Sequence, residues 1–294
     1  MSFNTKAIIF SLVVFVAVPL VGWHYYRKLH PAYMPQPIPP RPEVTITLLP
    51  GWNLRQIGDY LVQMQLASST EDLYALVGEP AVIRSLRAGP PPNLVPALAE
   101  LSRKPGTISY EGYLAPETYR VFKDASLESI VIKLMDQREQ ELVDLKISEL
   151  DINQHVFGGK KGIPDLTVHD VVTMASILER EARTPEDKKL VADIMWRRAA
   201  AGAALQIDSS VHYVVDRFGD VFTTDKERDV DSLWNTYKYP GLPPGPISNP
   251  SVVSIKAALD PTPNEYWYFL SGTDGTMHYA KTLDGHNQNR ARYL

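Results

Sequence analysis

Two acids stand two positions apart at the end of an apolar stretch, in Met174-Ala-Ser-Ile-Leu-Glu-Arg-Glu-Ala182. A helix turns about 100° per residue, so Glu179 and Glu181 lie about 200° apart and cannot share a face. Glu181 sits over Met174, Ile177 and Leu178, its neighbours at helical offsets of seven, four and three. Its carboxyl should therefore emerge from a partly apolar surface, which disfavours the anion and raises the pKa. A carboxylic acid that keeps its proton near neutral pH can act as the general acid that a glycosidic oxygen needs. The ordinary alternative is a solvated surface charge, the state of most helical glutamates.

Downstream, Leu205-Gln-Ile-Asp-Ser-Ser210 places Gln206 and Asp208 just after a helix end. They could hydrogen-bond sugar hydroxyls, or Asp208 could simply cap the next helix. Trp234 to Pro250, WNTYKYPGLPPGPISNP, is too rich in Pro and Gly for regular structure. A long ordered loop is usually functional. Here Asn235 and Tyr237 combine an amide for hydroxyls with a ring for the apolar face of a sugar. A rigid structural crossover is the other reading. His169, His212, His278 and His286 lack paired ligand spacing, so a metal site is not expected. The chain has no cysteine, which excludes thiolate chemistry and disulfides. Its net charge of −4 with scattered Lys and Arg offers no basic stripe for nucleic acid.

The elements that must hold these residues are legible in outline. Thr167 and Asp170 make a capping-box start, and Val168, Val171, Val172, Ala175 and Leu178 form a broad apolar stripe. Thr184-Pro-Glu-Asp187 starts the next helix, which should end among the small residues 199–204. Leu127 to Leu145 reads as a helix. Nearer the amino terminus, Val44, Ile46 and Leu48 alternate as a strand, and Pro50-Gly51 turns the chain. A helix from Asn53 to Met64 and another from about Ser69 follow. His30 to Pro42 carries six prolines and should be an extended spacer.

Ala7 to Trp23 is uncharged and apolar, at the short end of a membrane span, with Tyr25, Tyr26, Arg27 and Lys28 close behind. A cleaved signal peptide fits less well, because the run is long and no small-residue cleavage site follows. A buried helix fits poorly with the aromatic flank and the proline spacer. Charge counting across the span, Lys6 against Arg27, Lys28 and Arg41, mildly favours the carboxyl-terminal part facing the cytoplasm.

The phrases EGYLAPETYRV, TMASILEREA, ALQIDSSVHY, WNTYKYPGLPPGPISNP and YWYFLSGTDGTMHYAKTLDGHNQN, in this order from about Ile108 to Asn289, resemble the MltG/YceG-like endolytic murein transglycosylases. The resemblance implies an α+β chain. It would comprise a cytoplasmic tail (1–6), a transmembrane anchor (7–26), a Pro-rich linker (27–42), a small LysM-like α/β module (43–105) and a YceG-like catalytic domain (106–294) with a lysozyme-like helical core. The alternative for residues 43–105 is a spacer. The resemblance puts the catalytic glutamate on Glu181 and substrate binding on Glu179, Gln206, Asp208, Asn235 and Tyr237. The chain departs from the family's pattern at Ala182-Arg183, where a threonine often follows the glutamate, and at Ser209-Ser210, where Asp-Pro is common.

The implied partners are peptidoglycan glycan strands, the membrane and peptidoglycan synthases. The implied place is the inner membrane, single-pass, with the catalytic domain outside the cytoplasm, an orientation taken from the resemblance and not from charge. The implied reaction is lytic, needs no cofactor and forms a 1,6-anhydro end on N-acetylmuramic acid, and the implied role is to end glycan strand elongation. Two alternatives stay open: a water-using muramidase with Glu179 or Asp208 as second carboxylate, and a non-catalytic scaffold that holds glycan at the membrane.

Overall fold

The computed structural model describes residues 21–29, 40–82, 104–147, 151–157, 165–217 and 222–294. Two compact units emerge, Met1–Arg41 and Pro42–Leu294. In the first, residues 21–29 are helical (α1). The Trp23 and Tyr26 rings stack at 6.2 Å, and the Arg27 guanidinium lies 5.7 Å from the Trp23 ring centre. Most of the apolar run, residues 7–20, lies outside the described residues, as do residues 30–39 of the linker. Among the described residues no helix is long and apolar enough to cross a membrane.

The second unit opens with strand β1, Glu43–Thr47, whose alternation buries Ile46 and exposes Thr45. Asn53 caps helix α2, Leu54–Gln63, in a reciprocal capping box with Gln56, and Leu54, Ile57 and Leu61 face inward. Ser69 and Asp72 do the same for α3, Thr70–Val77. Strand β1 then finds its partner far along the chain. It pairs antiparallel with β2, Thr118–Phe122, Val44 opposite Val121 and Ile46 opposite Tyr119. The domain boundary expected at residue 105 therefore falls between two strands of one sheet, inside one compact unit.

Helix α4, Leu127–Asp144, and the short α5, Ile152–Phe157, lead to the central helix α6, Val168–Glu181. Thr167 and Asp170 form its capping box as the sequence predicts. Val171, Val172, Met174, Ile177 and Leu178 are completely buried. Each contributes about 1.5–3 kcal/mol by leaving water, so packing fixes the helix that ends at Glu181. Helix α7, Pro185–Ala200, starts on a Thr184 cap with proline at its first position. It packs on α6 together with α10, Val252–Leu259.

Helix α8, Asp208–Val215, begins at Asp208 with Ile207 at the cap position and no side-chain cap, so Asp208 does not serve as the cap. The four-residue α9, Asp225–Arg228, follows. Residues 234–250 run as turns and bends. They are docked on α6 through Ser176, whose hydroxyl accepts from Ile247 N at 3.0 Å and whose carbonyl accepts from Ser248 Oγ at 2.9 Å. Gly112, at φ +86°, closes against Pro246 of this loop, where a Cβ would lie 2.6 Å from the proline ring. The chain ends in a hairpin, β3 Tyr268–Ser271 with β4 Met277–Ala280, and helix α11, Leu283–Tyr293.

Candidate active site

Glu181 is the last residue of α6, and its side chain meets the first turn of α8. The Ser209 hydroxyl donates to Glu181 Oε1 at 2.6 Å, and the Ser209 backbone N–H also points at the carboxyl. Donors at a helix N-terminus favour the anion. Burial opposes them and is the largest influence, and the negative charge of Asp208 adds to it, while Arg180 pulls the other way. The balance holds the Glu181 carboxyl above the usual carboxylate range. The residue itself stays partly open to solvent. A carboxyl poised by opposing influences can give a proton and take it back.

Asp208 lies beside this pair. Its Oδ1 accepts from the Tyr237 hydroxyl and from Thr223 Oγ1, each at 2.6 Å, and Arg228 NH2 stands 3.9 Å away. The Arg228 guanidinium also covers the Tyr237 ring at 4.9 Å. Burial is the largest cause that pushes the Tyr237 phenol far up, and its bond to Asp208 adds to it, so Tyr237 is a hydroxyl donor throughout the physiological range. Hydrogen bonds to Thr236 tie the two segments together. Gln206 N donates to Thr236 O at 3.1 Å, Ile207 N to Thr236 Oγ1 at 2.9 Å, and Ser210 Oγ lies 2.9 Å from Thr236 Oγ1. Gln206 adopts φ +56°, a left-handed conformation uncommon for a non-glycine residue and typical of functional or over-determined positions. Its side chain is exposed and accepts from Arg198 NH2 at 3.3 Å.

The structure thus brings Glu181, Asp208, Gln206 and Tyr237 into one neighbourhood. It puts the other two residues assigned to substrate binding elsewhere. Glu179 lies on the opposite side of α6, as helical geometry requires. Burial opposes its ionisation, but Lys188 Nζ at 2.8 Å, Ser251 N at 2.7 Å and Ser251 Oγ at 2.6 Å hold its carboxyl below the usual range. Lys188 continues to Ser254 Oγ at 2.7 Å, so this buried ion pair joins α6, α7 and α10. Asn235 is completely buried. Its amide nitrogen donates to Arg228 O and Val230 O at 2.8 Å each, and its oxygen accepts from Tyr237 N at 3.1 Å. With every polar atom engaged inside the protein, Asn235 shapes the loop that presents Tyr237 and has no group left for a sugar.

His169 is a structural bridge. Its Nε2 lies 2.8 Å from Pro244 O and its Nδ1 2.8 Å from the Tyr113 hydroxyl. The carbonyl only accepts, so Nε2 carries the proton and Nδ1 accepts from the phenol. Among the described residues no group of His, Asp and Glu side chains could hold a metal ion. Ser209 and Thr223 escaped the sequence reading because they contact the acids across 28 and 15 residues. The only signal available in advance was their place beside Asp208 and beside a helix start.

The YceG-like family matches residues 27–292. An endolytic murein transglycosylase of Bacillus subtilis is 36% identical over 185 residues, 63% of this chain and 48% of that protein. One from Streptococcus pneumoniae is 26% identical over 258 residues, 85% of this chain and 44% of that protein. The chain therefore spans about half the length of the curated relatives it matches. A crystal structure of a YceG-like protein from Listeria monocytogenes superposes with a TM-score of 0.66 at 31% identity, covering 85% of this chain and 76% of that one. By sequence along nearly its whole length, and by a mixed α+β fold shared with a solved relative, the chain belongs to the YceG-like family.

Proposed function

We propose that the chain cleaves peptidoglycan glycan strands as an endolytic lytic transglycosylase, with Glu181 as its acid and base. The observation that carries this is a carboxyl on a partly exposed residue, raised above its usual range by burial, held by Ser209 and flanked by the Asp208–Tyr237 pair. The relatives' shared name, endolytic murein transglycosylase, supports the same reading.

The Ser209 hydroxyl occupies Oε1, so the transferable proton belongs on Oε2. Glu181 gives it to the oxygen joining C1 of N-acetylmuramic acid to the next N-acetylglucosamine, and the C1–O bond breaks. The muramoyl O6 hydroxyl then attacks C1 and returns its proton to Glu181. A 1,6-anhydro ring closes, no water is consumed, and the acid is regenerated. The nucleophile is already tethered to the sugar, so proximity replaces a second carboxylate. Asp208 and Tyr237 suit stabilising positive charge at C1 and bonding a sugar hydroxyl, respectively.

The apolar run at residues 7–23 suits a single-pass inner-membrane anchor, and a peptidoglycan substrate requires the second unit to lie outside the cytoplasm. Cutting close to the membrane would act on newly made strands and end their elongation, beside the synthases that make them.

One observation favours a second reading. Asp208 stands close enough to Glu181 to raise its pKa by charge, and a water-using muramidase needs a second carboxylate. Glu179 is committed to Lys188 and Ser251 and cannot fill that role. Mass analysis of the products released from purified sacculi separates the two. Anhydromuramoyl ends, lighter by one water than reducing ends, are expected. Reducing ends carrying oxygen from labelled water would replace the lytic reaction with hydrolysis.

A further inference from the structure

Glu111 is the most deeply buried carboxyl near the site, 1% exposed, and the proposed reaction makes no use of it. Its oxygens both accept from Leu54 N at 3.1 Å, at the N-terminus of α2. Oε1 also accepts from Asn249 Nδ2 at 2.9 Å, at the end of the long loop, and Oε2 from the Tyr213 hydroxyl at 3.2 Å, on α8. One side chain therefore ties together three segments that are distant in sequence.

The surroundings reinforce the tie. Asn249 holds Trp52 O through Nδ2 at 3.0 Å and Leu114 N through Oδ1 at 2.9 Å. Arg55 of α2 donates to Tyr213 O at 2.9 Å and lies 5.2 Å from the Tyr213 ring centre. Arg180, the residue before Glu181, donates to Gly51 O at 3.3 Å. Ala81 N donates to the Tyr213 hydroxyl at 3.0 Å. The charged and titratable groups facing Glu111 are Arg55 on α2, Tyr74 on α3, Arg180 on α6 and Tyr213 on α8. Helix α8 is the element whose first turn presents Ser209 to Glu181 and Asp208 to Tyr237. It is held through Tyr213 by Arg55 and Glu111, and Glu111 is held in turn by Leu54 N and Asn249.

We propose that Glu111 is a positioning residue of the active site: bonded at once to the α2 N-terminus, Asn249 and Tyr213, it sets where α8 delivers Ser209 to Glu181. The segment before residue 105 then works as a part of the catalytic centre, whatever else it binds. The inference rests on Glu181 being the acid, and its test has a readout that does not need turnover.

The decisive variant is Tyr213→Phe in the full chain. It cuts the tie between Glu111 and α8, keeps the ring and changes no charge. Glu111→Gln is the direct variant, but it sets an NH2 among donors and is the one more apt to fail to fold. The readout is the titration of the Glu181 side-chain carboxyl followed by carbon NMR in detergent. A displaced Ser209 donates less well, so Tyr213→Phe raises the Glu181 pKa in the same direction as Ser209→Ala. In the Ser209→Ala background, Tyr213→Phe adds little, because the bond it acts through is already gone. With glycan substrate, Tyr213→Phe lowers kcat about five- to tenfold, the worth of one hydrogen bond, and leaves KM unchanged. An unchanged Glu181 titration in Tyr213→Phe, or full additivity with Ser209→Ala, overturns the positioning role. Absence of any glycan product from the wild type, with the titration shifts present, would overturn the proposed function and leave the positioning intact.

Discussion

Ser209→Ala is the perturbation that most directly probes how Glu181 is tuned. The hydroxyl donates to Glu181 Oε1 at 2.6 Å and lowers a pKa that burial raises. Hydrogen bonds to charged groups are worth about 1.5–3 kcal/mol, and one pKa unit corresponds to about 1.4 kcal/mol. Water entering the partly open site recovers some of that, so the lower end applies. Ser209→Ala should move the Glu181 pKa up by about one pH unit. The assay is kcat/KM for release of soluble glycan products across pH, whose basic limb reports loss of the acid's proton in the free enzyme. The limb should move to higher pH. Asp208→Asn supplies the control of opposite sign, since removing a nearby negative charge moves the limb to lower pH. Movement of the Ser209→Ala limb downward, or no movement with the fold intact, would show that Glu181 does not govern that limb.

Two further outcomes concern stability. The Lys188 and Glu179 side chains are only 5% and 10% exposed, so Lys188→Met strands a buried carboxylate and should cost about 3–5 kcal/mol in urea unfolding; a loss under about 1 kcal/mol would mean the pair is not buried as described. Burial pushes the Glu111 carboxyl from 4.5 up to about 7. A raised folded-state pKa stabilises below the unfolded value, and that stability is lost as pH rises from about 4.5 through about 7. The difference of about 2.5 at about 1.4 kcal/mol each gives a loss of about 3 kcal/mol. Unfolding free energies at several pH values should show that decline in the wild type and a flatter profile in Glu111→Gln, and identical profiles would contradict it.

What the sequence made legible was local. The starts of α2, α3, α6 and α7 were readable because a capping side chain reaches only three residues ahead. The opposite faces of Glu179 and Glu181 follow from helical pitch alone. What escaped was long-range. Nothing near Glu43–Thr47 announces that its partner strand begins at Thr118. Glu111 meets Leu54, Tyr213 and Asn249 across 57, 102 and 138 residues, and no periodicity encodes such a meeting. Asn235 shows a different limit: an amide suited to a sugar is equally suited to loop carbonyls, and only its complete burial decides between them. The closing hairpin had a usable signal, the Thr273-Asp-Gly-Thr276 turn between apolar strands, with Gly275 at φ +81°.

In the proposed reaction one side chain, Glu181, carries the chemistry. The wild-type chain and Glu181→Gln, matched for thermal stability and for retention on sacculi, would be incubated with purified sacculi and the released glycan analysed by mass. The wild type should release fragments with anhydromuramoyl ends, and Glu181→Gln should bind but release none. Equal release by the two proteins would place the chemistry elsewhere and leave position 181 without a role in it.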